Sequence, residues 1–205
     1  MTIKHAIIAC HPDEDSFVLS MARRYAQAVE GREQHVVFRD LYRIGFDPIL
    51  RTSERQGTPG DDVCSELAKL GKADVFVLVY PIWFGSPPAM LKGYVDRVFG
   101  AGRTLGAGDP KLWGGILSGK RLVTFTSSGR LRPWLEEHGV LMSMQNLYDR
   151  YLREVFGLAA SDRYHFDGIT PETPAREIRA NLTDVERAAR EVMSRYVFGQ
   201  VRAPG

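Results

Sequence analysis

The sequence predicts an α/β protein with a doubly wound parallel sheet of five strands in the order 2-1-3-4-5. Five short apolar segments alternate with stretches of helical periodicity, which is typical of this class. The third apolar segment, Asp74–Tyr80, is continuously apolar and rich in valine, as expected of a strand that is buried on both faces. The chain shows no internal repeat or domain boundary, so residues 1–205 are predicted to form a single domain.

The elements of the first third of the chain follow from local patterns. Ile3–Cys10 is apolar and is predicted as the first strand, and the helical spacing from Ser16 to Gly31 predicts the first helix. Val36–Phe38 is the second strand. The range Gly45–Gly60 carries glycine, proline and charge without periodicity, which indicates a long loop. Asp61–Leu70 is a weaker helix.

The third strand is expected to stop at Pro81. A helix follows, because Pro87 and Pro88 suit a first helical turn, where a missing N–H costs little. Apolar residues then recur at helical spacing as far as Gly100, which is predicted to cap the helix at its C-terminal end.

The last part of the chain supplies the remaining elements. Residues 102–120 are glycine-rich and are interpreted as an insertion of unassigned role. Arg121–Thr126 is the fourth strand, Leu141–Leu158 is helical, and Tyr164–Ile169 is the fifth strand. The final helix has the clearest periodicity and is predicted to begin near Pro174.

Composition excludes several classes of function. A net charge of +2 without a basic run does not indicate nucleic-acid binding. Cys10 and Cys64 suggest no disulfide framework, which favours a cytoplasmic location, and no apolar run is long enough for membrane insertion. The sequence has no HExxH motif or cysteine-histidine cluster for a metal, and no GxSxG motif for a serine hydrolase.

Three turns are expected at one edge of the sheet, after strands one, three and four. The first, His11–Phe17, precedes a helix N-terminus, where free N–H groups favour a phosphate. Ser16 could donate its hydroxyl and His11 a ring N–H. The alternative is that Ser16 only caps the helix and His11 only ends a strand, and the negative charge of residues 13–15 supports that alternative.

The second turn, Pro81–Gly85, combines Trp83 and Phe84 with backbone N–H groups. Flat apolar rings beside free amides suit a planar heterocycle with polar edges, such as a flavin. The alternative is that the aromatic side chains pack into the core, and Trp83 is the better candidate for a ligand wall. The third turn, Thr126–Gly129, supplies hydroxyls and a flexible backbone.

Four segments of the chain resemble a known family. They are HPDEDSF at 11–17, DLY followed by FDPI at 40–49, YPIWFGSPPAMLKGYVDRVF at 80–99, and TSSG at 126–129. These segments resemble the NAD(P)H:quinone oxidoreductases, the DT-diaphorase-like branch of the flavodoxin-like fold. The resemblance covers most of the chain from Ile3 to about Gly168, and the long third segment is its most specific part.

The resemblance implies a flavoenzyme that reduces quinones by ping-pong hydride transfer, with bound FMN or FAD and with NAD(P)H as co-substrate. NAD(P)H would leave before a quinone-like acceptor takes its place. A homodimer, in which the partner chain completes each active site, is also implied. By motif position, the flavin-binding residues would be His11, Ser16 and Phe17 at the phosphate end, Pro81, Ile82, Trp83, Phe84 and Gly85 along the ring, and Thr126, Ser127, Ser128 and Gly129 at its other edge.

Two catalytic residues are inferred where the chain departs from the family. Members related to the mammalian enzyme have a Thr-Thr-Gly-Gly turn, then a tyrosine, then a histidine. Trp134 occupies the place of the tyrosine, and His138 lies just short of that of the histidine and is a candidate proton donor; the alternative is a solvated histidine. Ser128 fits less well than glycine if its place needs a positive φ. Asp15 replaces a hydroxyl residue, which leaves FMN and FAD both open.

Other functions are compatible with the same resemblance. An azo- or nitro-compound reductase would use the same flavin chemistry. Some relatives are ancillary regulatory flavoproteins of a potassium-efflux transporter, which would require a membrane partner. A single-electron carrier is disfavoured, because such carriers tend to be strongly acidic and this chain has a net charge of +2.

Overall fold

The computed structural model describes residues 2–101 and 115–200, with side chains described as far as residue 195. The greater part of the predicted insertion, residues 102–114, lies outside this range. Five parallel strands form one sheet in the order β2-β1-β3-β4-β5, which confirms the predicted architecture. The strands are β1 (Lys4–Ala9), β2 (His35–Asp40), β3 (Val75–Pro81), β4 (Arg121–Ser127) and β5 (Ala160–Phe166).

The central strand β3 explains why the core has two layers. All seven of its residues are buried, as expected of a parallel strand with helices on both faces. Val77 and Val79 point to one face of the sheet, whereas Phe76, Leu78 and Tyr80 point to the other. Each face therefore carries its own apolar cluster.

Helices cover both clusters. In chain order they are α1 (Phe17–Glu30), α2 (Thr52–Arg55), α3 (Asp61–Leu70), α4 (Ala89–Tyr94), α5 (Arg132–Glu137), α6 (Val140–Gln145), α7 (Leu152–Val155) and α8 (Ala175–Gln200). A π-helical segment, Val95–Phe99, follows α4, and a second, Asn146–Tyr151, joins α6 to α7. Buried residues of α1 and α8 pack in one cluster, and buried residues of α3, α4, α6 and α7 pack in the other.

Two predicted helix ends are wrong. The helix after β3 begins at Ala89, so Pro87 and Pro88 precede it and Pro88 takes the N-cap position. Gly100 does not end that helix, because its φ of −69° is helical. The wider turns of the π-helical segment carry the chain past the glycine, and no left-handed cap is needed there.

The range 45–60, predicted as a loop, contains α2 and is attached to the core by Arg97. The Arg97 side chain is buried, and its guanidinium donates to Glu54 at 2.7 Å and to Asp62 at 2.6 Å. It also donates to the backbone carbonyl of Asp47. The hydrogen bonds from Arg97 hold the pKa of Glu54 below its usual value. Sequence periodicity cannot reveal such an attachment, because its partners are distant in the chain.

Two further properties of the described residues bear on function. None of the helices in the ranges 2–101 and 115–200 has the length and apolar composition that a bilayer-spanning helix needs. Cys10 and Cys64 are both free thiols, and burial raises the pKa of Cys10 to about 12. Cys10 is therefore a structural apolar residue and not a nucleophile.

Candidate functional site

The turns after β1, β3 and β4 meet at the carboxyl edge of the sheet and enclose a cavity of about 150 Å³. Eight of the twelve predicted flavin-binding residues line it, together with two residues that were not predicted, Val18 and Ile169. The predicted residues in its wall are His11, Phe17, Pro81, Ile82, Trp83, Ser127, Ser128 and Gly129. The cavity thus joins residues that are far apart in sequence.

The first turn presents the N-terminus of α1 to the cavity. Ser16 caps the helix, since its hydroxyl accepts the Leu19 N–H at 3.2 Å. The N–H groups of Phe17 and Val18 have no acceptor among the described residues. These unpaired donors at the positive end of the helix dipole form a local anion-binding geometry.

His11 completes this turn. Its Nδ1 lies 3.1 Å from the Asp13 backbone nitrogen and 3.2 Å from the Asp13 carbonyl oxygen, so either tautomer finds a partner within the turn. The imidazole meets the indole of Trp83 edge-on, with ring centroids 5.5 Å apart. His11 therefore packs against the second turn, and its Nε2 has no partner among the described residues.

The acidic run beside this turn is directed away from the cavity wall. Asp13, Glu14 and Asp15 are all exposed and none of them lines the cavity. The Asp13 carboxylate accepts the Asp15 N–H at 3.0 Å, and Glu14 pairs with Arg23 at 3.4 Å. Their charge acts through solvent, where screening weakens its opposition to a bound anion.

The second turn is a two-residue hairpin closed by Trp83 and Ser86. These residues exchange backbone hydrogen bonds of 2.9 and 3.0 Å. Phe84 and Gly85 form its tip with φ values of 49° and 77°, as in a type I′ turn. A positive φ is strained for phenylalanine, and such strain is characteristic of functional sites. The alternative that Phe84 packs in the core is wrong, because its side chain is fully exposed.

The indole of Trp83 forms an open wall of the cavity. It is 39% exposed, so it is not a core residue. The Ile82 N–H already donates to the Ser127 carbonyl at 2.7 Å, and the Trp83 N–H is used within the hairpin. In the described part of the chain, the N–H groups of Phe84 and Gly85 remain without acceptors. The predicted free amides of this turn are thus restricted to its tip.

The third turn is held by backbone bonds to its neighbours. The Ser128 N–H donates to the Phe166 carbonyl at 3.0 Å, and the Ile169 N–H donates to the Ser128 carbonyl at 2.9 Å. Ser128 does not have a positive φ, so a serine is accommodated there without strain. The Gly129 N–H finds no acceptor in the described residues and lies at the cavity.

Four predicted binding residues do not line this cavity: Ser16, Phe84, Gly85 and Thr126. Thr126 is fully buried, and its hydroxyl lies 2.9 Å from Nδ1 of His165 on β5. Strand alternation points the Thr126 side chain into the protein and away from the cavity.

The two candidate catalytic residues, Trp134 and His138, are brought together but stand apart from the cavity wall. Both lie on α5 or at its end, and their rings stack with centroids 3.9 Å apart. Nδ1 of His138 is 2.8 Å from the Trp134 carbonyl oxygen. Arg130, which directly follows the third turn, places its guanidinium 5.5 Å from the centre of the Trp134 ring. The pair thus adjoins the turn through Arg130.

Sequence reasoning missed Val18, Ile169 and His165. Val18 follows Phe17 in the first turn of α1, so the spacing of that turn could have indicated it. Ile169 and His165 carried no signal, because their relation to the third turn depends on the pairing of β4 with β5. No group of three or more His, Cys, Asp or Glu side chains in the described residues could hold a metal ion.

Comparison with known proteins gives a consistent result. A family model described as the flavodoxin-like fold matches residues 3–189. A protein of Haemophilus influenzae named as an uncharacterized NAD(P)H oxidoreductase is 34% identical over 149 residues, which cover 70% of this chain and 73% of the relative. An FMN-dependent NADH:quinone oxidoreductase of Xanthomonas oryzae pv. oryzae is 29% identical over 135 residues, or 63% of each chain.

A solved structure supports the same fold. The NAD(P)H:quinone oxidoreductase from Methanothermobacter marburgensis superposes with a TM-score of 0.77 and covers 94% of this chain and 98% of its own. Its sequence identity is 22%, so this likeness concerns the fold.

Proposed function

Because the chain belongs to the flavodoxin-like fold family, we propose that it is a flavin-dependent NAD(P)H oxidoreductase that reduces quinones by ping-pong hydride transfer. One observation carries the proposal. A capped helix N-terminus, an exposed indole and a serine-glycine turn surround the same cavity at the carboxyl edge of the sheet. Anion-binding donors suit the phosphate of a flavin nucleotide, and an aromatic wall suits its planar ring.

The donors fit the two ends of a flavin. The N–H groups of Phe17 and Val18 and the imidazole of His11 would hold the phosphate, with Ser16 fixing the helix terminus. Pro81, Ile82 and Trp83 would line the ring, with the N–H groups of Phe84 and Gly85 at the rim. Ser127, Ser128 and Gly129 would border its other edge.

FMN is the cofactor that the comparisons favour. The relative from Xanthomonas oryzae is named as FMN-dependent. FAD remains the alternative outcome of the test.

A bound flavin would supply hydride transfer from NAD(P)H to a quinone. The protein would contribute binding, orientation and exclusion of water. The Trp83 indole would shield one side of the cavity, and the exposed ring of Phe84 would offer an apolar contact to NAD(P)H and quinone in turn. Trp134 and His138, which lie outside the cavity wall, would stand at the acceptor side, with His138 as a proton donor.

The first test is the absorption spectrum of the purified protein and the mass of the cofactor that it releases. Purified protein is expected to absorb as a flavoprotein, and the cofactor released by denaturation identifies FMN or FAD. Steady-state oxidation of NADH and of NADPH with a benzoquinone is expected to give parallel double-reciprocal lines. Intersecting lines would contradict alternate occupancy of one site, and a protein that binds neither flavin would overturn the proposal. Faster turnover of an azo dye would favour an azoreductase, and activity only with a membrane partner would favour the regulatory alternative.

A homodimer in a reducing cytoplasm forms part of the proposal. A groove of about 610 Å³ runs between the segment after α4 and the segment joining α6 to α7. The exposed side chains of Leu147 and Tyr151 lie along it. An apolar surface of this kind supports association with a second copy. Sedimentation equilibrium tests this directly: Tyr151→Asp is expected to give monomers, and a monomeric wild type would contradict the dimer.

A further inference from the structure

The side chain of His165 lies against the third turn and contacts two of its residues. His165 pairs with Thr126 in the register of β5 against β4. Its Nδ1 is 2.9 Å from the Thr126 hydroxyl and its Nε2 is 3.2 Å from the Ser128 hydroxyl. One imidazole thus connects Thr126, at the start of the turn, with Ser128, which lines the cavity.

The direction of these hydrogen bonds can be assigned from donor counting. The Ser128 hydroxyl donates its single hydrogen to the Arg130 carbonyl at 2.9 Å. It can therefore only accept from His165, which places a proton on Nε2. The neutral ring then has a bare Nδ1. The Thr126 hydroxyl lies 2.9 Å from this Nδ1 and 3.4 Å from the Tyr164 carbonyl oxygen, and the shorter contact assigns its hydrogen to Nδ1. The result is one directed chain from Thr126 through His165 and Ser128 to the Arg130 carbonyl.

The surroundings keep this ring in one protonation state. Burial, together with the positive charges of Arg132 and Arg163, lowers the pKa of His165 to about 4 against the opposing charge of Asp167. The ring is therefore neutral near pH 7, and a neutral ring is the form that the hydrogen-bond chain requires.

We propose that His165 is a positioning residue, which fixes the cavity-lining turn Thr126–Gly129 through hydrogen bonds at both ring nitrogens. This inference rests on the proposed function, because the turn would border the flavin ring. The Ser128 hydroxyl already donates to the Arg130 carbonyl, so it would offer no free hydrogen to the ligand. The Ser127 carbonyl accepts the Ile82 N–H at 2.7 Å, which couples the second turn to the same arrangement.

A flavin-free measurement tests the assigned tautomer. Nitrogen-15 chemical shifts of the imidazole distinguish a protonated from a bare ring nitrogen, and the His165→Phe spectrum identifies the signals of residue 165. At pH 7 we expect a protonated Nε2 and a bare Nδ1. A proton on Nδ1, or exchange between both forms, would overturn the inference even if the protein binds flavin well.

FMN binding by variants of His165 tests whether the residue positions the turn for the ligand. His165→Phe keeps a ring of similar size and removes both hydrogen bonds, and it is expected to weaken FMN binding to the apoprotein about tenfold. It is also expected to shift the visible spectrum of the bound flavin, which loss of stability alone would not do. His165→Gln, which keeps a donor towards Ser128, should recover part of the affinity. Tyr164→Phe, on the opposite face of the same strand, should leave both readouts unchanged.

A double-mutant cycle distinguishes loss of the hydrogen-bond chain from a general loss of stability. If the chain acts as one unit, Thr126→Val combined with His165→Phe should weaken FMN binding no more than His165→Phe does alone. Additive losses would mean that His165 only packs, which contradicts the inference. Normal FMN affinity in His165→Phe would also overturn it while leaving the proposed function intact, whereas a wild type that binds neither FMN nor FAD would overturn both.

Discussion

Gly93 and Pro48 are in direct contact. A Cβ atom built on Gly93 would lie 2.3 Å from the carbonyl oxygen of Pro48 and 2.4 Å from its Cβ. Real carbon atoms do not approach so closely, so only glycine allows the segment after β2 to pack on α4. This contact joins two motifs that are distant in sequence, FDPI and LKGYVDRVF. Packing therefore accounts for Pro48 in the first motif and for Gly93 in the second.

Gly93→Ala is expected to destabilise the protein by about 2 kcal/mol, because the backbone at Pro48 must shift. The measurement is the urea midpoint of unfolding. Gly100→Ala is the matched control on the same helical stretch, since its added Cβ would meet its nearest neighbour at 3.6 Å. The control should be neutral or stabilising by up to about 1 kcal/mol. Equal effects of the two changes would contradict the close contact.

Arg97→Met is expected to cost about 3 kcal/mol, because it leaves the buried carboxylate of Glu54 without its partner. Lys92→Met removes an exposed ion pair with Asp96 in the same helical stretch and should cost less than about 1 kcal/mol. Denaturant unfolding of both variants provides the comparison. A small change in the free energy of unfolding of Arg97→Met would show that water replaces Arg97 as the partner of the Glu54 carboxylate.

Trp83→Ala is expected to weaken flavin binding about tenfold or more while changing the free energy of unfolding of the apoprotein by less than about 1 kcal/mol. The reason is that the indole lines the cavity and is 39% exposed. Fluorescence titration with FMN and thermal unfolding give the two values. Met142→Ala, at an exposed residue that does not line this cavity, should alter neither. Parallel losses in Trp83→Ala would identify a core residue instead.

Ser16→Asp separates helix capping from phosphate binding. Aspartate caps as well as serine, so stability should be retained, but its charge opposes a phosphate and should weaken FMN binding about tenfold. Riboflavin, which lacks the phosphate, should bind the variant as it binds the wild type. Ser16→Ala should instead cost about 1 kcal/mol of stability, because the Leu19 N–H loses its acceptor. Unchanged FMN affinity in Ser16→Asp would show that the phosphate does not bind at the N-terminus of α1.

Stability is expected to fall as the pH decreases from about 6.5 to about 4, in part through His5. Burial lowers the pKa of His5 from 6.5 to about 4, against the opposing charge of Asp74. Between these values the unfolded chain binds more protons than the folded one, so folding is favoured at the higher pH. The contribution of this side chain approaches about 3 kcal/mol at the acid end. Urea unfolding of His5→Phe at pH 7 and pH 4.5 should show a smaller difference than the wild type, and an equal difference would exclude His5 as a source.

Much of the framework follows from local sequence. Buried strands such as Val75–Pro81 are continuous apolar runs, and Ser16 is a recognisable helix cap, because both depend on residues only a few positions apart. The strand order then follows from right-handed crossovers between parallel strands, which also bring the three turns to one edge. The sequence by itself therefore determined the fold and the place of the cavity.

Only the tertiary structure decided how the cavity is built. Thr126 and His165 are 39 residues apart, and their contact depends on the register between β4 and β5. The same holds for the approach of Pro48 to Gly93, and for the outward turn of Phe84 at a positive φ. Local periodicity carries no information about such contacts, because their energies arise from atoms that meet only after the sheet and its helices have packed.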